Sequence, residues 1–365
     1  MKVQDLTFEH AELFTAADKT WLQLLQDISQ AQQCILFENY IWNDGVASDA
    51  LLDAFTQAKR NGATIKITLD AIGSFYASDA LLDKISELAE LKIYNKPRFG
   101  FLRRAINSVM RRTHRRIIVC DDSCAWVGGL AIDDFWWHAI DNPCRETMLR
   151  VTGDVCAALS AEFYSLWQKK PHSNLRALQP LKANSIRVCN FGPLRRPTFL
   201  RLLLKRIGQS QQHIYFATAY FIPPPKLIKA LILARKRGVT VHLQLPSAKL
   251  HDHPLVHMAA RRHYSKLLKH GVHIYEYTTG FQHSKTALFD NCDCLIGSPN
   301  IDRWSFFRNH ELLIESTDED LCQQLQDSFT ADMQRSVQID PQLWQMRSLK
   351  TRLLENLAGI FDPIL

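Results

Sequence analysis

Two histidines open the same pattern of residue types in this 365-residue chain. His114 is followed by Arg116 two positions on, by Asp121 seven positions on, and then by Gly128-Gly129. His283 is followed by Lys285, Asp290 and Gly297-Ser298 at the same offsets. In a strand, a residue and its second neighbour share a face, so each histidine and its cation can reach one substrate group. A guanidinium or ammonium there would bind the non-bridging oxygens of a phosphoryl group and stabilise the charge gathering on them. One imidazole can attack phosphorus to give a covalent phospho-histidine. The other can protonate the leaving oxygen and then deprotonate an incoming alcohol or water. The ordinary pKa of imidazole lets two such groups hold different protonation states near neutral pH. The doubled pattern therefore implies one site built from two halves, with a nucleophile from one and an acid from the other.

Each histidine needs a partner at its second ring nitrogen. Glu146 lies 32 residues after His114, and Glu311 lies 28 after His283, each beside a strand-like run. A buried carboxylate at each place would orient the ring and stabilise its cation. The glycine pairs allow close backbone approach. Ser298 and Asn300 are candidate donors to phosphate. No metal is expected, because a lone histidine beside a repelling cation makes a poor ligand set. No cofactor is expected either.

The elements that must carry these residues are also repeated. Residues 34–41 and 213–222 read as buried strands rich in aromatic and β-branched side chains. A helix follows each, over residues 50–60 and 225–237, ending in basic residues and then Gly62 or Gly238. A second strand follows each glycine, at residues 63–70 and 239–245, and a third pair lies at 91–94 and 272–275. Each half reads β-α-β-α-β, then a histidine-bearing strand, a turn and another strand. That order predicts two tandem α/β/α layered domains with mixed sheets, related by a pseudo-twofold axis. The expected boundary divides residues 1–175, with the first motif, from residues 176–365, with the second motif and a helical tail.

These residues resemble the phospholipase D superfamily, whose signature is HxKx4D followed by a Gly-rich turn and Asn. Within it the chain is similar to bacterial cardiolipin synthases. The segments that carry the likeness include Phe37-Glu38-Asn39-Tyr40-Ile41-Trp42, Tyr220-Phe221-Ile222-Pro223-Pro224, Arg145-Glu146-Thr147 and Asp252-His253-Pro254-Leu255-Val256. The resemblance implies a phosphatidyltransferase that moves a phosphatidyl group from a phosphatidylglycerol-like lipid to an alcohol and releases glycerol. His114 is then the nucleophile and His283 the acid and base, with Arg116, Asp121, Lys285 and Asp290 completing the catalytic set. Two departures stand out. Arg116 replaces the usual Lys, and Ala131 replaces the usual Asn after Gly-Gly. Hydrolysis by a phospholipase D or nuclease-type phosphodiesterase is the alternative, and a non-catalytic binder of anionic lipid is a third reading.

Composition fits these expectations without choosing among them. Lys and Arg exceed Asp and Glu by 44 to 37, a net charge of +7 that suits an anionic partner. The basic cluster is interleaved with aliphatic rather than stacking aromatic residues, so no nucleic acid is expected. Residues 98–112 carry Arg98, Arg103, Arg104, Arg111 and Arg112 and no acid. As a helix they form a basic amphipathic surface suited to an anionic membrane, or a helix packed on its own domain with a solvated basic face. The tail over residues 343–365 spaces Trp344, Leu349, Leu353, Leu357 and Ile360 for one face, expected to pack on the core. The start of the chain lacks a signal-peptide pattern, and no stretch of 18 apolar residues occurs. The expected location is the cytoplasmic face of a bacterial cell membrane, with peripheral contact. The nine scattered cysteines read as reduced packing residues.

Overall fold

A computed structural model of the chain describes residues 6–97, 109–137, 144–170, 175–193, 197–248 and 250–359. The first half contributes strands β1 (Ala11–Phe14), β2 (Cys34–Asn39), β3 (Thr64–Asp70), β4 (Glu90–Tyr94), β5 (Ile117–Cys120), β6 (Cys124–Gly128), β7 (Cys144–Arg145) and β8 (Met148–Thr152). Seven of them form one sheet in the order β1-β8-β6-β5-β2-β3-β4. The second half contributes β9 (Ile186–Phe191), β10 (His213–Ala217), β11 (Thr240–Pro246), β12 (His273–Tyr277), β13 (Phe281–Gln282), β14 (Thr286–Phe289), β15 (Asp293–Gly297), β16 (Glu311–Ser316) and β17 (Ser336–Gln338). Eight of these form the order β17-β12-β11-β10-β14-β15-β16-β9.

The two sheets follow one plan. The strands β2, β3 and β4 run parallel, as do β10, β11 and β12. The hairpins β5–β6 and β14–β15 add antiparallel strands beside β2 and β10. Helices Val46–Arg60 and Pro225–Lys236 make the first parallel crossovers. Both end where the sequence says, with Gly62 at φ +101° and Gly238 at φ +95°, a left-handed backbone that glycine adopts without strain. The mixed α/β architecture in two repeated halves is therefore as expected.

A shared core joins the halves. Leu36, Val119, Val127 and Leu149 of the first sheet pack in one cluster with Val188, Leu288, Ile296 and Leu312 of the second. Helices Asp154–Trp167 and Glu319–Gln334 close the same cluster with Leu159, Phe163, Leu325 and Phe329. Backbone pairing adds a second joint, where β7 and β13 run parallel with Arg145 opposite Gln282. The isolated bridge Thr113–His310 is its counterpart. All nine cysteines are free. Among the described residues, no helix is long and apolar enough to cross a membrane.

The tail departs from expectation. It breaks into helices Pro341–Gln345 and Leu349–Ala358, the second restarted by the Ser348 hydroxyl accepting from Thr351 N–H. Trp344 is buried against Tyr264. Leu349, Leu353 and Leu357 instead stand in solvent. The inner side belongs to Glu355, which pairs with Arg347 and Arg261. Ile360 lies outside the described residues.

Candidate active site

The histidine segments precede their strands rather than lying in them. His114 and Arg116 sit in extended chain just before β5, and His283 and Lys285 just before β14. The reason is where their backbone bonds go. His114 N–H donates to the His310 carbonyl at 2.9 Å, and His283 N–H donates to the Arg145 carbonyl at 2.8 Å. Each histidine is thus tied to the other half. Alternation still holds in the extended chain. Thr113 and Arg115 turn to the buried Glu38, with Arg115 Nε at 3.0 Å from Oε1, while His114 and Arg116 line a cavity.

The residue after each of those carbonyls is a glutamate, so the side chains cross as well. Glu311 accepts from His114 Nδ1, at 3.0 and 3.1 Å to its two oxygens. Glu146 lies against His283 Nδ1. Sequence distance pairs each glutamate with the histidine of its own half; the structure pairs it with the opposite one. Crossing leaves each histidine's Nε2 as the nitrogen not engaged by a carboxylate.

The two carboxylates are anchored differently. Glu311 receives Ser298 Oγ at 2.5 Å, Ser305 Oγ at 2.7 Å and Asn309 Nδ2 at 3.3 Å. These hydroxyls and His114 hold its carboxyl below the usual range against the desolvation that would raise it. Glu146 has Thr147 N–H at 2.9 Å and the Lys285 ammonium at 3.8 Å. Burial pulls it up, but Lys285 and His283 prevail and bring it to about 2. No Cβ fits at Gly129, where it would stand 2.6 Å from the Glu146 oxygens. Ser298 occupies the matching position in the second half.

Burial lowers the pKa of both imidazoles. For His283 desolvation is the largest cause and Lys285 the next, and together they bring it to about 4. His114 is lowered too, by desolvation against the pull of Glu311. Lys285 Nζ sits 2.8 and 2.9 Å from the two ring nitrogens of His283, and desolvation brings it down to about 8. Arg116 donates to its own histidine's carbonyl at 3.0 Å. Its Nε has no partner among the described residues.

His114, Arg116 and His283 line one cavity of about 320 Å³. Asn300 is part of that wall, and its buried Oδ1 has no partner among the described residues. Trp136 packs edge-on to His283 at 5.1 Å and Tyr40 to His114 at 5.0 Å. Tyr220, hydrogen-bonded to Asp252, adds to the polar wall together with Asp302, Asn309, His253 and Arg112. Burial raises Asp302 to about 7. The motifs alone do not mark these wall residues. Tyr40 and Tyr220 have a signal in hindsight: both follow the first strand of the repeat.

Several expected site residues have other work. Asp121 lies away from the cavity, accepting from the N–H groups of Gln32, Gln33 and Cys34 at 2.8, 2.8 and 2.9 Å. Asp290 does the same for Gln211, Gln212 and His213 at 2.8, 2.7 and 3.0 Å. Both anchor the start of a parallel strand to the following hairpin. Ser298 is fully buried and gives its hydroxyl to Glu311, so it is no phosphate donor. Lys285 is not in the wall of that cavity. Arg112, expected on a membrane-facing stripe, is buried and bonds Asp70 at 3.1 Å, because a cation so placed needs a carboxylate. Arg111 is exposed, and Arg98, Arg103 and Arg104 lie outside the described residues. Ala131 is fully buried in the apolar core with Trp42 and Trp136.

Comparison with known proteins gives the family. The family described as "Cardiolipin synthase, PLD-like domain" matches residues 24–167 and 203–333, one region for each half. The chain belongs to that family. Among curated members, cardiolipin synthase 1 of Staphylococcus aureus (strain COL) is 31% identical over 355 residues, covering 94% of this chain and 71% of the relative. Cardiolipin synthase A of Yersinia pseudotuberculosis is 28% identical, covering 97% and 75%. The same fold occurs in a phosphatidylserine synthase from Haemophilus influenzae Rd KW20, with a TM-score of 0.77, 14% identity, and coverage of 99% of this chain and 95% of that one. Membership in the cardiolipin synthase family makes the chain a phosphatidyltransferase.

Proposed function

We propose that the enzyme takes a phosphatidyl group from phosphatidylglycerol, carries it on His114, and delivers it to a hydroxyl of a second phosphatidylglycerol. The products are cardiolipin and glycerol. The observation that carries this reading is the crossed pair: two histidines facing one cavity, each held by a glutamate from the opposite half.

The chemistry follows from the two environments. Burial lowers His114, favouring the neutral form a nucleophile needs, and with Glu311 taking its Nδ1–H the lone pair lies on Nε2. Nε2 bonds to phosphorus as the phosphorus–oxygen bond to glycerol breaks. His283 gives its proton to that oxygen. The acceptor hydroxyl then passes its proton to His283 and its oxygen bonds to phosphorus, displacing His114. Each step leaves His283 ready for the other. A bound phosphodiester adds negative charge beside Arg116 and Lys285, offsetting the cations that lower His283 and raising it toward the range of a general acid. Arg116 brings a planar fork to the phosphate, with its Nε–H still to be used. This reading sets the enzyme on the inner face of a bacterial cell membrane.

The test is mass spectrometry of lipids formed by purified enzyme from phosphatidylglycerol vesicles, wild type beside His283→Ala. Cardiolipin and glycerol are expected from the wild type alone, and absence of both would overturn the reading. Trapping the phospho-enzyme checks the order of the histidines: label on His283 alone reverses it. Release of phosphatidic acid as the main product would point to water as the acceptor.

A further inference from the structure

Two groups of large apolar side chains stand in solvent, each next to a wall of the catalytic cavity. In the second half, Leu349 (80% exposed), Leu353 (60%) and Leu357 recur every four residues along helix Leu349–Ala358. Leu343 and Met346 continue the exposed surface before it. On the inner side Ala358 packs with Ala259 and Ile222, and Val256 lies against the same cluster. Ile222 and Val256 are cavity wall residues. The helix that exposes these leucines therefore packs, through Ala358, against a residue of the cavity wall.

The first half has a counterpart. The turn at residues 71–77 follows β3 and exposes Phe75 (70%) and Tyr76 (81%). It is fastened to the cavity wall, since the Ser74 hydroxyl donates to the Tyr40 carbonyl at 3.1 Å. The turn lies just beyond the C-terminal end of β3, and helix Leu349–Ala358 packs on helix Pro254–Arg261, which follows the C-terminal end of β11.

Charge says what covers the leucine helix, while the turn, bordered by Asp44 and Asp79, adds apolar side chains alone. Residues 343–359 contain a single acid, Glu355, which is 4% exposed and neutralised by Arg347 and Arg261. Lys350 is exposed beside the leucines and Arg352 is half-buried. An apolar stripe flanked only by cations matches a surface with apolar depth and anionic headgroups. It does not match a second copy of itself, which would bring like charges together. We propose that helix Leu349–Ala358 and the turn at residues 71–77 dock the enzyme on an anionic phospholipid bilayer, bringing the cavity mouth to the headgroups. The proposal rests on the reading above that the substrate is a bilayer lipid.

Vesicle flotation tests it with the full chain. Wild type floats with phosphatidylglycerol vesicles more than with phosphatidylcholine vesicles, and less as salt rises. The double variant Leu349→Asp/Leu353→Asp lowers the partition by about tenfold or more. It keeps turnover of a short-chain, monomerically dispersed phosphatidylglycerol within about twofold, since exposed substitutions disturb a fold little. Phe75→Ser/Tyr76→Ser acts in the same direction. Equal flotation of wild type and the leucine variant overturns the proposal. So does equal loss of turnover on dispersed lipid, which would assign the leucines to the fold. A wild-type dimer in sedimentation that the leucine variant dissolves, with flotation unchanged, assigns the patch to a second copy and also overturns it. Flotation that depends on the leucines, in an enzyme that forms no cardiolipin, leaves docking standing and removes the substrate reading.

Discussion

Replacing Glu146 by Gln removes one charge and almost no volume from the crossed pair. The Glu146 carboxyl falls from an ordinary 4.5 to about 2. That difference corresponds to about 3 kcal/mol of net preference for the carboxylate, at 1.36 kcal/mol for each tenfold change. The cations that supply it are Lys285 and His283. In the proposed transfer His283 carries a full positive charge, so the variant forfeits the share of this attraction that Lys285 does not supply, with about 3 kcal/mol as its ceiling. Turnover should fall by about 10-fold to 100-fold, each 1.4 kcal/mol being a factor of ten. The assay is cardiolipin formed per minute from phosphatidylglycerol, with a thermal unfolding curve to show that the variant is folded. Imidazole NMR then separates crossing from pairing within a half: Glu146→Gln should shift the His283 ring resonances and leave those of His114 in place. Turnover within about threefold of wild type would refute a catalytic share for the pair. A shift confined to His114 would refute the crossing.

Other outcomes follow from the same geometry. Lys285 loses its proton near pH 8 instead of 10.5, so activity should fall as pH rises through about 8, and Lys285→Arg should carry that limb upward because a guanidinium stays charged. The stability sign runs with it: between about 8 and 10.5 the unfolded chain binds the proton that the folded chain has released, so this residue's contribution to stability, measured by denaturant titration, improves with pH across that window. Asp121→Ala and Asp290→Ala should each cost about 1–3 kcal/mol of stability, read as a lower melting temperature, with turnover per folded molecule nearly unchanged. Gly129→Ala should lower turnover more than stability, because its methyl displaces the Glu146 carboxylate; wild-type kinetics would show that the carboxylate tolerates the shift.

The repeat was legible because burial writes itself into sequence. Apolar runs at residues 34–41 and 213–222, and glycines after basic helix ends, announce strand and cap wherever they occur. The histidines were legible because chemistry needs those residue types at that spacing. Partnership between Glu and His was not, since distance along the chain carries no record of which half a side chain faces. Asp121 and Asp290 misled for a different reason. Both follow a histidine at a fixed offset, yet both also begin an Asp-Asp or Asp-Asn pair with positive φ on both residues. Turn chemistry at a hairpin was the competing signal, and it prevailed. The tail misled because helical periodicity identifies an apolar face without saying whether protein covers it.

The crossing also sets when the protein can act. During synthesis the first sheet can be complete once β8 has emerged at Thr152, with His114 made but neither of its ties to the second half formed. Its carboxylate is residue 311, nearly two hundred residues later, and Glu146 waits equally for His283. A nascent chain therefore carries half a site and no reactive histidine. A proteolytic fragment ending between the halves does the same. Both pairs need both halves, so a chain that is still incomplete has no assembled site with which to attack a lipid.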